Sequence, residues 1–320
     1  MSALRLSSIV YRLSRGPEAL LVRLRHRYPH SCALERLAGR WVATVQRRWP
    51  GETARVARLP GGARLVVTLA DGWHRGLYFR GVYEPQTTRL VADLLRPGDV
   101  FLDVGANVGY YACLAAARGA TAHAFEPNPA LTALLRRTRD LNAFGARLVV
   151  NEVAVDAADG LAELHLSPQA LNTGLSSLLP LPHLCAGATA PVPTVTLDGY
   201  CARRGIARIR LVKVDVEGAE ARVLAGAGRV LATLRPDAVI CEVGGFADGS
   251  RPDDVLRTLA AAGYAPHELT AAGLRPWRGD GDAWRHGEQR NLCFLRAPLA
   301  DTAPPLVAPT GVALATPAAG

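Results

Sequence analysis

Residues 99–128 constrain the fold of this 320-residue chain more than any other stretch. The apolar run Val100–Val104 predicts a buried strand, and a turn of small residues follows it at 103–109. A helical pattern then leads to a second apolar run that ends at Glu126. This order of elements indicates a βαβ unit whose carboxyl edge binds a nucleotide-type cofactor: a strand, a glycine-rich turn, a helix, a second strand and an acid.

Apolar runs and helical patterns continue to alternate after this unit, which predicts an α/β protein with a parallel sheet. A helix is expected to begin after Asn128, a capping residue, and another is expected over residues 217–233. The segment between the last two strands is interpreted as a surface loop. Further strands are predicted at 147–155, 161–166, 192–197, 209–214, 238–243, 264–269 and 291–295.

The ends of the chain differ from this pattern. Residues 1–80 are predicted to form a basic extension of short helices followed by a β-hairpin, residues 81–297 the main domain, and residues 298–320 a disordered tail rich in Pro, Ala, Thr and Gly. Residues 1–58 contain twelve arginines and three glutamates, which accounts for the whole net charge of +9. A basic arm suits a nucleic acid, an anionic membrane face or an acidic partner, or is simply a solvated helical face.

Cysteine spacing and hydropathy predict the compartment. The six cysteines lie far apart with no CxxC pair, which favours reduced thiols over disulfides or a zinc site. No run reaches the roughly 18 apolar residues of a membrane helix, and no secretory signal is recognisable. We therefore expect a cytoplasmic protein without a transmembrane segment, whose oligomeric state is open.

The first turn discriminates between cofactors. A dinucleotide site requires G-x-G-x-x-G, whereas here the pattern is D-x-G-x-N-x-G, formed by Asp103, Gly105, Asn107 and Gly109. An acid two residues before the first glycine fits a cationic amino group better than a pyrophosphate. S-adenosylmethionine has that ammonium group. It also has a ribose diol, and Glu126 is placed to accept hydrogen bonds from both of its hydroxyl groups. An acid at that position also occurs in NAD-binding folds, so Glu126 does not discriminate between the two cofactors. The spacing of the turn favours S-adenosylmethionine over NAD.

Three segments, DVGANVG at 103–109, FEPN at 125–128 and VKVDVEGAE at 212–220, resemble the FkbM-type family of S-adenosylmethionine-dependent methyltransferases. The resemblance covers residues 83–243 and includes the loop of Asn172, Ser176 and Ser177. It implies a class I methyltransferase, Rossmann-like fold: a seven-stranded, mostly parallel sheet whose last strand is antiparallel. It also implies methyl transfer to oxygen, commonly on a sugar or polyketide-like hydroxyl.

A second cluster of charges follows the fourth core strand. Lys213, Asp215 and Glu217 are the predicted catalytic residues, because an alcohol acceptor must lose its proton as it attacks. Lys213 is the only lysine among 37 basic residues, which hints that a compact ammonium, or one able to lose its proton, is required there. Glu217 and Glu220 are expected in the first turn of the following helix, where pairing with the helix N-terminus is an alternative role. Clustered carboxylates also suit Mg²⁺, but no sufficient ligand set is evident and no metal is predicted.

The remaining candidate residues surround these two clusters. His74, in the predicted hairpin, is a candidate for the acceptor side, as is Glu242 at the end of the fifth strand. The resemblance suggests that Tyr83 and Glu84 line the donor pocket. The donor set is predicted to be Glu84, Asp103, Gly105, Asn107, Gly109, Glu126, Asn128, Asp156 and Asp215, and the acceptor set His74, Tyr83, Ser176, Ser177 and Glu242.

The function predicted from these residues is S-adenosylmethionine-dependent O-methylation of a small hydroxylated metabolite. An RNA or protein methyltransferase that uses the basic N-terminus is the second hypothesis among enzymes. A base methyltransferase usually has an aromatic-rich tetrapeptide after the fourth strand, where this chain has Asp-Val-Glu-Gly at 215–218, so nucleic acid is disfavoured. A non-catalytic scaffold on the same fold and, third, an NAD-linked oxidoreductase are also compatible with this fold class.

Overall fold

A computed structural model describes residues 15–28, 30–49, 53–167, 173–181, 184, 187–244, 252–279 and 289–296. Within these ranges the helices are α1 (Arg15–Arg27), α2 (Cys32–Arg48), α3 (Gly72–Arg80), α4 (Pro85–Leu94), α5 (Tyr110–Ala117), α6 (Pro129–Leu141), α7 (Leu197–Arg204), α8 (Glu220–Ala225) and α9 (Pro252–Ala261). The strands are β1 (Ala54–Arg58), β2 (Arg64–Thr68), β3 (Val100–Val104), β4 (Thr121–Phe125), β5 (Leu148–Asn151), β6 (Ala154–Val155), β7 (Gly160–His165), β8 (Thr189–Val195), β9 (Leu211–Val214), β10 (Ala238–Gly244), β11 (Tyr264–Thr270), β12 (Gly273–Pro276) and β13 (Gln289–Arg296).

The main sheet has the strand order β12-β11-β13-β10-β9-β3-β4-β5. Five strands pair with one another in parallel, namely β3, β4, β5, β9 and β10. Strand β13 lies between β10 and β11 and is antiparallel to both. The predicted α/β class I methyltransferase fold is confirmed, with eight strands in place of seven. The additional strand is β12, which pairs with β11 at the sheet edge, in the segment that the sequence pattern assigns to a loop.

Both faces of the sheet are buried, as the continuous apolar strands require. Successive side chains of β3 point to opposite faces, so Phe101 joins one core cluster while Leu102 and Val104 join the other. Helix α5 packs within the first of these clusters, and seven of its eight residues are buried. The carboxyl ends of β3, β4, β9 and β10 are thereby fixed side by side.

In the described part of the N-terminal extension the structure has helices and a β-hairpin, as predicted. The hairpin β1–β2 packs on the main domain: Leu65 and Val67 belong to the same core cluster as α5, and the Val66 N–H donates to the Thr138 hydroxyl at 2.9 Å. Helix α1 is held to β1 by Glu18, which accepts from Arg55 at 2.5 Å. The division at residue 80 stays a prediction, and it does not coincide with a break in the core.

The segment around His74 is helical, so its prediction as hairpin was wrong. Asp71 accepts the His74 N–H at 3.0 Å and caps α3, and Gly81, with φ of +76°, ends the helix. Glycines at 72 and 76 conceal this helix in the sequence, because glycine weakens any helical pattern. His74 is consequently buried, with an exposed fraction of 1%.

Two further predictions require correction. The helix expected over 217–233 is interrupted: Glu217 adopts φ of +54°, α8 begins only at Glu220, and the segment Val230–Leu234 is π-helical. The single strand expected at 147–155 is divided between β5 in the main sheet and β6 in a separate sheet of order β6-β8-β7. Asn172 and the predicted tail at 298–320 lie outside the described residues. Among the described helices, none is long and apolar enough to cross a membrane.

Candidate cofactor and acceptor pocket

A cavity of about 270 Å³ opens where β3, β4, β9 and β10 end. It is lined by the turn after β3, by Glu126 and by apolar residues at 153–155. Tyr83 and the predicted charged cluster line the same cavity. The described cavity wall therefore contains both of the residue groups that the sequence singles out, at the sheet edge where a parallel α/β fold binds its ligands.

Gly105 lies at the closest approach between two of these strand ends. Its φ is +79°, and a Cβ atom added there would lie 1.7 Å from the carbonyl oxygen of Asp215. The N–H groups of Gly105 and Ala106 both donate to the carbonyl of Phe125, at 3.1 and 2.9 Å. A side chain at this position cannot be accommodated, so the first glycine of the motif is required by packing as well as by backbone conformation.

Glu126 accepts hydrogen bonds from two backbone N–H groups. Its Oε2 atom accepts from Asn107 and its Oε1 atom from Asn128, each at 2.9 Å. Burial raises the pKa of this carboxyl to about 7, although both N–H groups favour the charged form. Each oxygen keeps a further lone pair, so the side chain can also accept hydroxyl groups from a ligand.

Asn107 connects this turn to the N-terminal extension. It adopts φ of +53°, and its Oδ1 atom accepts from Val108 N–H at 2.7 Å and lies 3.3 Å from His74 Nε2. Burial lowers the pKa of His74, which favours the neutral ring that can donate one N–H. The structure thus places His74 against the turn after β3, residues 105–109, which we call the cofactor turn because the sequence predicts cofactor binding there, and His74 is not among the described residues that line the cavity.

Five of the predicted donor residues lie behind the cavity wall. Asp103 is buried, accepts the Ala112 N–H at 2.9 Å, and has a pKa raised by burial to about 6. Asn128 caps α6 by accepting the Ala130 N–H at 3.0 Å, and Asp156 pairs with Arg222, whose Nε donates at 2.8 Å. The other two are Glu84, which accepts from the Tyr111 hydroxyl at 2.6 Å and from Asn291 at 2.9 Å, and Gly109, where a Cβ would meet Leu135 at 2.2 Å.

Lys213 and Asp215 form an ion pair in the wall of the cavity. The Nζ atom lies 2.6 Å from Asp215 Oδ2 and 4.9 Å from the centre of the Tyr111 ring. Burial alone would lower the pKa of Lys213, but the carboxylates of Asp215, Glu84 and Asp103 outweigh it and raise the pKa. The surrounding carboxylates therefore favour the ammonium form of Lys213.

Two further carboxyls face the same space. Burial, with Asp215 and Glu220 nearby, raises the pKa of Glu217 to about 8. Burial and the same acidic neighbours raise the pKa of Glu242 well above its usual range, and its Oε2 atom has no hydrogen-bond partner among the described residues. Glu220 has a structural role, since its Oε1 atom accepts the N–H groups of Val216 and Gly218 at 2.9 and 3.2 Å.

The predicted acceptor residues are brought together except for His74. Tyr83, Ser176, Ser177 and Glu242 line the cavity. The Ser177 hydroxyl donates to the Glu217 carbonyl at 2.8 Å, and the Ser176 hydroxyl to the Thr173 carbonyl at 3.0 Å. Trp73 and Gln289 also line the cavity, although neither is among the site residues predicted from the sequence; for Trp73 only its segment, around His74, was expected to contribute to acceptor specificity. Trp73 lies one residue before His74, and only the hidden helix α3 could have indicated its direction.

No group of three or more His, Cys, Asp or Glu side chains in the described ranges is arranged to hold a metal ion. The carboxyls of the pocket are instead directed at Lys213, backbone N–H groups and the cavity.

Comparison with known proteins gives matches to methyltransferases. A family model described as the methyltransferase FkbM domain matches residues 103–266. The chain is 32% identical over 198 residues to the 31-O-demethyl-FK506 methyltransferase FkbM of Streptomyces tacrolimicus, covering 53% of this chain and 74% of that protein. It is 28% identical over 208 residues to the hexuronic acid methyltransferase AglP of Haloferax volcanii, covering 65% and 80%.

Among solved structures, an S-adenosylmethionine-dependent methyltransferase from Agrobacterium tumefaciens superposes with a TM-score of 0.41 at 12% sequence identity. The superposition covers 77% of this chain and 71% of that chain.

Proposed function

The chain belongs to the FkbM methyltransferase family, and we propose that it is an O-methyltransferase that binds S-adenosylmethionine in the 270 Å³ cavity and methylates a hydroxyl of a small metabolite. The single observation that carries this proposal is that Glu126 and the Lys213–Asp215 pair line one and the same cavity. The first suits a ribose diol, and the second suits a hydroxyl about to lose its proton.

The donor end fits the proposed cofactor. Gly105 leaves a cradle that a Cβ would fill, the turn at 105–107 exposes backbone to the cavity, and Glu126 has lone pairs for two hydroxyl groups. Apolar residues at 153–155 and Leu131 line the space beyond Glu126, where a planar base would be buried. When bound, S-adenosylmethionine supplies a methyl group already activated on a sulfonium.

The chain's own residues then orient the acceptor and take its proton. Methyl transfer to a hydroxyl would form the oxygen–carbon bond as the carbon–sulfur bond breaks, would release S-adenosylhomocysteine, and would leave the hydroxyl proton to be accepted by a base of this chain. We assign that base to Asp215, whose position Lys213 fixes through their ion pair. Glu217 and Glu242, whose raised pKa values favour protonation, can donate hydrogen bonds to other oxygens of the acceptor.

The acceptor class follows from the composition of that end. Trp73 and Tyr83 have ring centres 4.7 Å apart and contribute apolar surface beside the three carboxyls. Rings flanked by carboxyl groups suit a hydroxylated, ring-shaped molecule such as a sugar or a polyketide-like compound. The names of the relatives support this class, since one acts on 31-O-demethyl-FK506 and the other on hexuronic acid.

The proposal includes the predicted division into an extension at 1–80 and a main domain at 81–297, and a cytoplasmic location. Free thiols support that location: Cys32, Cys113, Cys201, Cys241 and Cys293 are unpaired in the described part of the chain.

Transfer of labelled methyl groups tests the function. Wild-type protein, labelled S-adenosylmethionine and a panel of hydroxylated sugars and macrocycles should yield a methylated product. Asp215→Asn should still bind S-adenosylhomocysteine but transfer methyl groups at least about 100-fold more slowly, the usual range for loss of a general base. Asp140→Asn, at a residue whose side chain is 68% exposed, is the matched control and should keep full activity. Equal rates for Asp215→Asn and the wild type would contradict the assignment.

A further inference from the structure

Asp71 is a buried carboxylate that bonds to two separate parts of the molecule. Its Oδ1 atom accepts the His74 N–H at 3.0 Å, at the start of α3. Its Oδ2 atom accepts both the backbone N–H and the hydroxyl of Thr173, at 2.7 and 2.8 Å. Asp71 is 1% exposed, so these three charge-assisted bonds form away from water, where they are strong.

Thr173 begins the loop that forms one wall of the cavity, residues 173–178, which we call the wall loop. Within it, the Ser176 hydroxyl donates to the Thr173 carbonyl at 3.0 Å. The next residue, Ser177, donates to the Glu217 carbonyl at 2.8 Å. The wall loop is therefore tied at one end to Asp71 and at the other to the turn that follows Asp215.

Helix α3 carries the same connection to the donor end. His74, whose N–H is bound by Asp71, places Nε2 3.3 Å from Asn107 Oδ1. The Asn107 N–H in turn donates to Glu126 at 2.9 Å. A continuous series of hydrogen bonds thus runs from the wall loop through Asp71 and α3 to the carboxylate proposed to hold the ribose.

We propose that Asp71 is a positioning residue that fixes the wall loop and the cofactor turn relative to each other, and so sets affinity for the donor without touching it. This inference rests on the proposed function, because the cofactor is part of it. Asp71 lies outside the segment matched by the family model, residues 103–266. The N-terminal part of this chain would accordingly contribute to the pocket through Asp71 as well as through Trp73.

Calorimetric titration with S-adenosylhomocysteine, combined with hydrogen exchange of the wall loop, tests the proposal. Thr173→Val removes one of the bonds to Asp71 and should weaken binding by up to about tenfold and speed exchange across 173–178, because the loss of one hydrogen bond to a charged group loosens the loop without removing a contact to the ligand. Thr173→Ser retains the hydroxyl and should bind within about twofold of the wild type. Asp71→Asn should weaken binding at least as much as Thr173→Val. Thr173→Val should weaken binding less in the Asp71→Asn background than in the wild type, because both substitutions act on the same hydrogen bond.

Thr196→Val is the control for a merely structural effect. The Thr196 hydroxyl accepts the Gly199 N–H at 3.0 Å and caps α7, away from the cavity. This variant should lower the thermal midpoint while leaving affinity for S-adenosylhomocysteine unchanged.

Wild-type affinity and exchange in both Thr173→Val and Asp71→Asn would overturn the proposal. If the wild type itself does not bind S-adenosylhomocysteine, the proposed function fails separately. Exchange measured in the unliganded proteins then still decides whether Asp71 orders the wall loop.

Discussion

The ammonium of Lys213 lies 2.6 Å from the carboxylate of Asp215, two residues further along the same strand end. The two side chains share one face of the strand because they are separated by two positions. Lys213 is buried at 2% exposure whereas Asp215, at 20%, reaches the cavity. A buried cation therefore supports a carboxylate that is open to ligands.

Replacing Lys213 by Met should destabilise the fold. The buried carboxyl of Asp103 and the partly buried Asp215 would lose their cation, and removal of one partner of a buried pair costs about 3–5 kcal/mol. Urea denaturation measures the loss. The double variant Lys213→Met/Asp215→Asn should recover part of it, since one carboxylate no longer needs a partner. A Lys213→Met protein as stable as the wild type would show that the ion pair does not support this site.

Gly105→Ala should be far more harmful than an alanine at another glycine with the same backbone conformation. Gly61 also has φ of +79°, but a Cβ there meets nothing within 4 Å, whereas at Gly105 it would meet the Asp215 carbonyl at 1.7 Å. Gly61→Ala should cost about 1–2 kcal/mol of unfolding free energy, the penalty for a left-handed residue. Gly105→Ala should cost more and abolish binding of S-adenosylhomocysteine. Equal losses in thermal denaturation would mean that the close approach to Asp215 is unimportant.

The stability difference between Glu242→Gln and the wild type should depend on pH. The usual pKa of a glutamate is 4.5, and burial and acidic neighbours raise that of Glu242 in the folded state. A carboxyl group whose pKa is raised on folding stabilises the fold fully at a pH below its pKa in the unfolded state. This stabilisation is lost as the pH rises towards its pKa in the folded state. Gln does not titrate, so between pH 5 and 8 the free energy of unfolding of the variant should increase relative to that of the wild type, by at most about 1.4 kcal/mol per pH unit.

Urea denaturation at several pH values measures this difference. Glu163→Gln, at an exposed position of β7, is the control and should differ from the wild type by the same amount at each pH. A pH-independent difference for Glu242→Gln would show that Glu242 is ionised in the folded protein.

Local pattern was sufficient to predict most of the sheet and the turn after β3. Val100–Val104 forms the predicted strand, since four of its five residues are apolar and a strand of a parallel sheet is buried on both faces. Asn128 begins its helix as expected, because a capping side chain acts on its own neighbours. Glu126 directly follows β4, because the apolar run that predicts this strand stops at the same place.

Tertiary contacts decided what the sequence could not. Asp103 is directed at the Ala112 N–H, and Asp156 at Arg222 from a distant segment, so neither partner could be read from spacing. Glu217 takes a left-handed conformation that non-glycine residues rarely adopt, and the helix predicted there starts three residues later. The helix that places Trp73 in the pocket depends on Asp71, whose other partner, Thr173, is 102 residues away.

Calorimetric titration of S-adenosylhomocysteine into the wild type and Glu126→Gln, with NAD as control ligand, tests the central claim most directly. The wild type should bind S-adenosylhomocysteine and ignore NAD. The variant should bind at least about tenfold more weakly, because a hydrogen bond to a charged group is worth about 1.5–3 kcal/mol and Gln cannot accept both N–H groups. A wild type that binds NAD and not S-adenosylhomocysteine, or that binds neither, would contradict the proposed cofactor.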